Sequence, residues 1–210
     1  MQTVFVEMMI KDFGARVESV WKNLRPVTKK MIFGALQAKG ENLPTTQTQK
    51  FSYDTQSDWE LSRLLTALDE QSIDAEVRKD TEKLAEINQL AETLVNVLET
   101  KTGSAEVFIQ LAERLLRKND YNKFDKLTDK LSERFSAGEI AEIIRQTDMA
   151  QIRAVAFETL SMLPTAQIIP LLEDPLYFEI ARNAIEQQAF EYESEEAREI
   201  LEQIEFGIDE

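Results

Sequence analysis

Neither cysteine nor histidine occurs in the 210 residues of this chain. Without cysteine there are no disulfides and no thiolate metal sites, a composition typical of a reducing compartment. Without histidine there are no imidazole-dependent triads, no His-ligated zinc sites and none of the usual di-iron sites. Among enzymes, only chemistry based on carboxylates stays open as an alternative.

Turn-forming residues and long apolar runs are also scarce. Six glycines and five prolines are too few for an all-β fold, which needs a turn about every 8–12 residues. No run approaches the ~18 apolar residues of a membrane-spanning helix. Glu7, Lys11 and Asp12 interrupt the apolar core that a signal peptide would need. We therefore expect a helical protein of the cytoplasm that has no cofactor, no metal site and no catalytic residues.

The net charge of −15 is unevenly distributed along the chain. Residues 1–40 carry seven lysines and arginines against three acidic residues, whereas residues 170–210 carry two arginines against thirteen acidic residues. An acidic chain repels phosphate backbones, which argues against nucleic acid as a partner. The acidic C-terminal region either attracts a basic partner or keeps the protein in solution.

Apolar residues of the N-terminal region recur at helical spacing and predict one amphipathic helix over residues 3–24. Pro26 ends this helix and begins a second one, which gives an N-terminal helical pair over residues 1–39. An amphipathic helix of this kind either packs in its own protein or docks on an anionic membrane surface or in a partner's groove. The candidate docking residues are Phe5, Met9, Phe13 and Trp21.

Residues 40–57 are nearly free of apolar side chains, with Phe51 and Tyr53 as the exceptions. This composition predicts a linker between the helical pair and a helical-repeat domain over residues 58–210. The alternative is a loop that packs its two aromatic residues on the next helices.

The sequence predicts further helices after residue 57. Ser57 and Glu60 have the spacing of a capping box and predict the start of a helix. The apolar pattern then predicts a long helix over residues 72–100, followed by shorter helices over residues 105–118 and 121–135.

A repeat is the most informative feature of the C-terminal half. Residues 140–157 match residues 168–185 at an offset of 28 positions, so that Ile140 corresponds to Ile168 and Ala156 to Ala184. A period of this length with two helical patterns inside it is typical of stacked helical hairpins. The clearest repeats cover residues 138–190, an acidic helix over 195–206 caps them, and residues 112–131 form a looser copy.

One motif recurs in both copies of the repeat. Residues 148–156 read DMAQIRAVA, with a turn aspartate, an arginine and an alanine at fixed spacing. In the second copy, residues 174–184, Ala181 takes the arginine position and Arg182 is displaced by one. This C-terminal part resembles the HEAT-like class of α-solenoid repeats. The resemblance implies a scaffold in which the aspartate and arginine bond between neighbouring repeats and the second helices line a concave face.

We therefore expect an all-α fold of stacked antiparallel helical hairpins, with two N-terminal helices on a linker. The expected function is that of a non-enzymatic adaptor or scaffold that binds another protein, in particular a basic one. Two alternatives stay open: a membrane-surface protein that binds through residues 3–24, and a carboxylate-dependent enzyme, as in some HEAT-like relatives in DNA repair. Exposed positions of the second helices give the candidate contact residues Gln151, Arg153, Glu158, Glu179, Arg182 and Glu186.

Overall fold

The structure, a computed structural model, describes residues 9–40 and 53–207 of the chain. All regular secondary structure in these two ranges is helical, which confirms the predicted all-α class. The chain divides into two compact units, Met1–Thr102 and Gly103–Glu210, which we call unit 1 and unit 2.

The described part of unit 1, residues 9–40 and 53–102, contains five helices and helical backbone at residues 9–12. The helices are α1 (Ala15–Asn23), α2 (Pro26–Gly40), α3 (Thr55–Ser72), α4 (Ala75–Lys79) and α5 (Thr81–Lys101). Helix α3 packs along α5, while α1 packs on α3 and α2 packs on both. Leucines at helical spacing on α3 and α5, among them Leu64, Leu68 and Leu94, are fully buried between these helices.

The predicted single helix over residues 3–24 is wrong, because the chain turns at Gly14. The helical turn at residues 9–12 ends before this glycine, and α1 begins after it. Gly14 has φ +115°, which L side chains rarely adopt, and a Cβ added there would lie 2.6 Å from Oε1 of Gln71. The turn directs Phe13 into the core, where it is fully buried.

Aspartates cap three helices of unit 1, namely α3, α4 and α5. Asp54 caps α3, and its carboxylate accepts the backbone N–H of Ser57 at 2.8 Å. The predicted capping box of Ser57 and Glu60 is therefore wrong, because the helix starts earlier and the Glu60 side chain bonds elsewhere. Asp80 caps α5 in the same way and so divides the helix predicted over residues 72–100.

An ionic cluster joins the α1–α2 junction to the start of α3. Arg25 donates to the Glu60 carboxylate from its backbone N–H at 2.9 Å and from Nε at 3.1 Å, and to Asp54 from both terminal nitrogens at 2.9 and 2.7 Å. The Thr28 hydroxyl also donates to Glu60, which is 2% exposed. Burial raises the pKa of Glu60, but the hydrogen bonds from Thr28 and Arg25 outweigh burial and hold that pKa below its usual value. We call these four residues the Arg25 cluster.

The two units meet in the sequence at Thr102 and Gly103, and the domain division predicted at residues 40–57 stays a prediction. Helices α1 and α2 bury their apolar residues against α3 and α5, so both sides of that segment belong to unit 1. Tyr53 donates its hydroxyl to Asp58 on α3, whereas Phe51 lies outside the described residues. Most of residues 40–57 also lie outside them, so the role of this segment as a linker stays a prediction.

Unit 2 contains a succession of shorter helices with boundaries close to the predicted ones. They are α6 (Ala105–Arg117), α7 (Tyr121–Thr128), α8 (Leu131–Arg134), α9 (Ala137–Gln146), α10 (Ala150–Met162), α11 (Thr165–Ile168), a 3₁₀ helix (Ile169–Glu173), α12 (Phe178–Phe190) and α13 (Glu195–Gly207). The helix predicted over residues 121–135 divides into α7 and α8. The 3₁₀ helix contains Pro170, which has no N–H to donate to an α-helical hydrogen bond.

The helices of unit 2 pack mainly on their neighbours in the chain. Helix α9 packs on α10, α10 on α12, and α12 on α13, while α9 also contacts α6 and α11. Corresponding positions of the two sequence copies are buried in the same way: Ile140 and Ile168 are both 0% exposed, as are Ala156 and Ala184. The fully buried small residues that allow close approach of these helices are Ala141, Ala156, Ala181, Ala184, Ala189 and Ala197.

Candidate functional site

An apolar groove with a volume of about 410 Å³ lies between α10 and α12 and is open to solvent. We call it the α10–α12 groove. Its lining comprises five apolar side chains, one arginine and one asparagine: Ile144, Ala150, Arg153, Ala154, Phe157, Ile180 and Asn183.

Helical spacing explains why α10 contributes to the groove. Residues 150, 153, 154 and 157 recur at intervals of three and four and so share one face of the helix. Another face of the same helix carries Ile152, Ala156 and Leu160, which are buried in unit 2. Helix α10 thus has two apolar faces, of which only one is covered by the rest of unit 2. Because Ala150 and Ala154 are small, they leave room in front of the uncovered face.

Arg153 lines one side of the groove. Its Nη2 donates to the backbone carbonyl of Thr147 at 2.6 Å, and Thr147 is the C-cap residue of α9. The bond satisfies a carbonyl at the end of that helix and restricts the guanidinium. The resemblance to HEAT-like repeats implies a bond from this arginine to a neighbouring repeat, whereas this bond lies within one helical pair.

A cluster around Glu142 ties α9 to the segment before α12. The Tyr177 hydroxyl donates to Oε2 of Glu142 at 2.8 Å, and Arg145 donates to the same carboxylate at 2.7 and 2.5 Å. The hydrogen bond from Arg145, assisted by those from Tyr177 and Gln146, lowers the pKa of Glu142 to about 2. The hydrogen bond to Glu142 in turn raises the pKa of Tyr177. Glu142 is therefore ionised at neutral pH, where it accepts these hydrogen bonds and is unsuited to transfer a proton.

Gln188 ties α12 to the end of α10. Its Nε2 donates to the backbone carbonyls of Ser161 at 2.9 Å and Leu163 at 2.6 Å, while its Oε1 accepts from the Thr165 hydroxyl at 3.0 Å. Gln188 is 6% exposed, so the protein itself satisfies these buried polar groups. Together with the Glu142 cluster, this contact sets the positions of the helices that form the groove.

The structure places the six candidate contact residues on the two helices of the groove. Arg153 lines it directly. Arg182 is half-buried, and the remaining four are exposed: Gln151, Glu158, Glu179 and Glu186. Sequence reasoning missed Phe157, Ile180 and Asn183 as lining residues. The signal for Phe157 is the second apolar stripe of α10, which the repeat pattern alone assigns to the core.

Exposed apolar residues continue along the same two helices. Met162 at the end of α10 is 63% exposed, and Phe190 at the end of α12 is 70% exposed. They are 28 positions apart and therefore correspond in the repeat. Glu158 and Glu186, each one turn earlier, form a second corresponding pair of exposed residues. Both second helices thus carry the same pattern of a glutamate followed by an exposed apolar side chain.

The candidate docking helix of the N-terminal region is packed within unit 1. Phe13 is 0% and Trp21 is 4% exposed, Met9 is half-buried, and Phe5 lies outside the described residues. The Trp21 ring contacts Phe33 edge-on, with 5.7 Å between centroids. In this conformation Phe13 and Trp21 are core residues, and docking through them would require α1 to leave unit 1.

A metal site and a membrane-spanning helix are the other types of site to consider in residues 9–40 and 53–207. No group of three or more acidic side chains in this part of the chain is placed to hold a metal ion. No single helix described there is long and apolar enough to cross a membrane, and α10 with the segment after it reaches the required length only as two pieces bent by 120°. A scan against protein-family models finds no match for the chain, and comparisons with curated proteins and with solved structures find none either.

Proposed function

We propose that unit 2 is a short stack of HEAT-like helical hairpins and that the protein is a non-enzymatic, cytoplasmic adaptor or scaffold. In this proposal, the α10–α12 groove binds another protein. The observation that carries the proposal is the groove itself, an open apolar surface on the second helices of two consecutive hairpins.

The order of packing supports a stack of hairpins. Helices α9 and α10 form one hairpin, and α11 with the 3₁₀ helix pairs with α12 in the next. First helices contact first helices, since α9 packs on α11, and second helices contact second helices, since α10 packs on α12. Helices α6 and α7 also pack together and occupy the position of the looser sequence copy. This is the arrangement in which each hairpin buries an apolar face that it cannot bury alone.

The chemistry of the groove supports binding over catalysis. Its lining contains no carboxylate, and its two polar side chains belong to Arg153 and Asn183. General acid–base catalysis by carboxylates therefore has no group to use there. Covering the apolar lining with a partner would instead be favourable, at roughly 25 cal/mol per Å² of apolar surface removed from water.

The proposal is tested by filling the groove without changing the charge. Ala154 is exposed and lines the groove, so Ala154→Gln obstructs it at little cost to folding. Ala85→Gln places the same substitution on an exposed position of α5 and is the matched control. Tagged full-length proteins are expressed in the cell of origin, and the recovered proteins are quantified by mass spectrometry.

We expect one partner to be recovered in stoichiometric amounts with the wild type and with Ala85→Gln, and at least tenfold less with Ala154→Gln. An identical set of recovered proteins for all variants, each folded by circular dichroism, would show that the groove is not a binding surface.

A further inference from the structure

The lining of the α10–α12 groove restricts the backbone conformation of what it binds. An extended peptide brings one unpaired N–H and one C=O per residue, and each loses water when it enters an apolar groove. The groove offers two polar side chains, and Arg153 already donates to the Thr147 carbonyl. A helix satisfies its own backbone groups internally, so an amphipathic helix can place only apolar side chains in the groove. The described residues contain no strand edge to which a peptide could add as a further strand.

The charges around the groove restrict the flanks of the bound helix. From α9 to α13 the chain has four arginines and no lysine against fifteen acidic residues. Glu179 and Glu186 lie four residues before and three residues after Asn183, so they border the groove on the same face of α12. Glu158 follows Ala154 by one turn on α10. These carboxylates favour a partner with lysine or arginine beside its apolar stripe and disfavour an acidic one.

We propose that the α10–α12 groove binds a single basic amphipathic α-helix of another protein. This inference rests on the protein-binding function proposed above and adds the chemistry of the partner. Apolar residues at positions i, i+3, i+4 and i+7 of the bound helix occupy the groove between Phe157 and Ile180. Its flanking lysines or arginines face Glu158, Glu179 and Glu186.

Three synthetic 18-residue peptides test this proposal directly on the full-length protein. The first is a leucine–lysine helix with leucines at i, i+3, i+4 and i+7. The second replaces every lysine with glutamate, and the third is a scrambled leucine–lysine sequence without the apolar stripe. Dissociation constants are measured by fluorescence anisotropy in 150 mM salt for the wild type, Ala154→Gln and Ala85→Gln. Because neither substitution changes the charge, a loss confined to Ala154→Gln separates binding in the groove from general attraction to an acidic protein.

The wild type and Ala85→Gln are expected to bind the leucine–lysine helix at least tenfold more tightly than either other peptide. Ala154→Gln is expected to weaken that binding at least tenfold, and the double substitution Glu158→Gln with Glu186→Gln by about threefold or more. Equal affinity of Ala154→Gln and the wild type for the leucine–lysine helix would overturn the inference. So would a wild-type dimer that Ala154→Gln converts to a monomer, since the groove would then bind a second copy of this chain.

The two proposals fail in different ways. If Ala154→Gln loses the cellular partner but the wild type does not distinguish the basic helix from the acidic one, the inference about partner chemistry is wrong and the adaptor function stands. If Ala154→Gln keeps the cellular partner in full, the adaptor function of the groove is wrong and this inference is wrong with it.

Discussion

Unit 1 and unit 2 are both helical, but their polar contacts are distributed differently. In unit 1 the Arg25 cluster joins residues 29–35 positions apart at one place, around the buried carboxylate of Glu60. In unit 2 the polar contacts lie at two separate places, between Tyr177 and Glu142 of α9 and between Gln188 of α12 and Ser161 at the end of α10. The Arg25 cluster thus gathers its bonds around one carboxylate, whereas unit 2 distributes its polar contacts over two places along the chain.

This difference explains why the candidate binding surface lies in unit 2. In unit 1 two long helices, α3 and α5, bury large leucines against each other, and α1 and α2 cover them further. In unit 2 each helix packs mainly on elements close to it in the chain. Because no other described element of unit 2 covers the second face of α10, that face stays open as the groove.

The largest expected effect is the loss of unit 1 when the centre of the Arg25 cluster is removed. Glu60→Ala leaves the Thr28 hydroxyl and the Arg25 backbone N–H buried without their acceptor, which we expect to cost about 3 kcal/mol of unfolding free energy. Glu70→Ala on the same helix removes only an exposed ion pair with Arg16 and is expected to change little. Both tryptophans, Trp21 and Trp59, lie in unit 1, so their fluorescence in urea reports its unfolding.

An equal shift for Glu60→Ala and Glu70→Ala would contradict the contrast drawn between a central cluster and exposed pairs. Circular dichroism follows the helices of both units, whereas tryptophan fluorescence follows unit 1. If Glu60→Ala also shifts the circular dichroism transition of unit 2, the two units unfold together and the comparison between them is wrong.

A smaller effect is expected when one neighbour contact of unit 2 is removed. Gln188→Leu leaves the carbonyls of Ser161 and Leu163 and the hydroxyl of Thr165 unpaired, which we expect to cost about 2 kcal/mol. Gln187→Leu is the comparison at the adjacent position, because Nε2 of Gln187 donates to Glu191 on the same helix turn and its buried Oε1 has no hydrogen-bond partner among the bonds described. We expect this substitution not to destabilise unit 2. The readout is the circular dichroism transition in urea, with tryptophan fluorescence unchanged. A shift of the fluorescence transition by Gln188→Leu would show that Gln188 stabilises more than unit 2.

The smallest effects are expected from alanine at one glycine in each unit, and they should have opposite signs. Gly14→Ala forces an L side chain to φ +115° and should destabilise unit 1 by about 1 kcal/mol. Gly138→Ala lies in α9, where the nearest atom to the added Cβ is 3.8 Å away, and should stabilise unit 2 by about 0.5 kcal/mol. The change in the midpoint of thermal unfolding measures the effect of each substitution on stability. The same sign for both substitutions would mean that backbone conformation does not determine the outcome.

Sequence reasoning was most accurate where structure depends on local periodicity. The ends of α6 and α13 lie within about one residue of the predicted ranges 105–118 and 195–206, because local periodicity marks both helices. It was least accurate at Gly14, where an apolar stripe continues across a break in the helix. The apolar stripe continues in the sequence because Phe13 and Trp21 are both buried, although Phe13 lies before the break at Gly14 and Trp21 lies in α1 after it.

The candidate site was predicted only in part, for a different reason. Of the six candidate contact residues on the second helices, five are exposed and Arg182 is half-buried, and Arg153 lines the groove. Phe157 is not among the predicted contact residues, since an apolar residue at helical spacing looks the same in the sequence whether or not another helix covers it. The Arg25 cluster had no signal in the sequence, because charged residues about 30 positions apart give no local pattern.

The sequence by itself determined the helical class, the repeat offset of 28 and the acidic character of the C-terminal half. These properties follow from residue types and their spacing along one chain, which sequence reading measures directly. Only the tertiary structure decided which of two apolar faces of α10 is covered and which two carboxylates Arg25 binds. Both depend on which distant segments meet, and that outcome is set by the burial of all faces together.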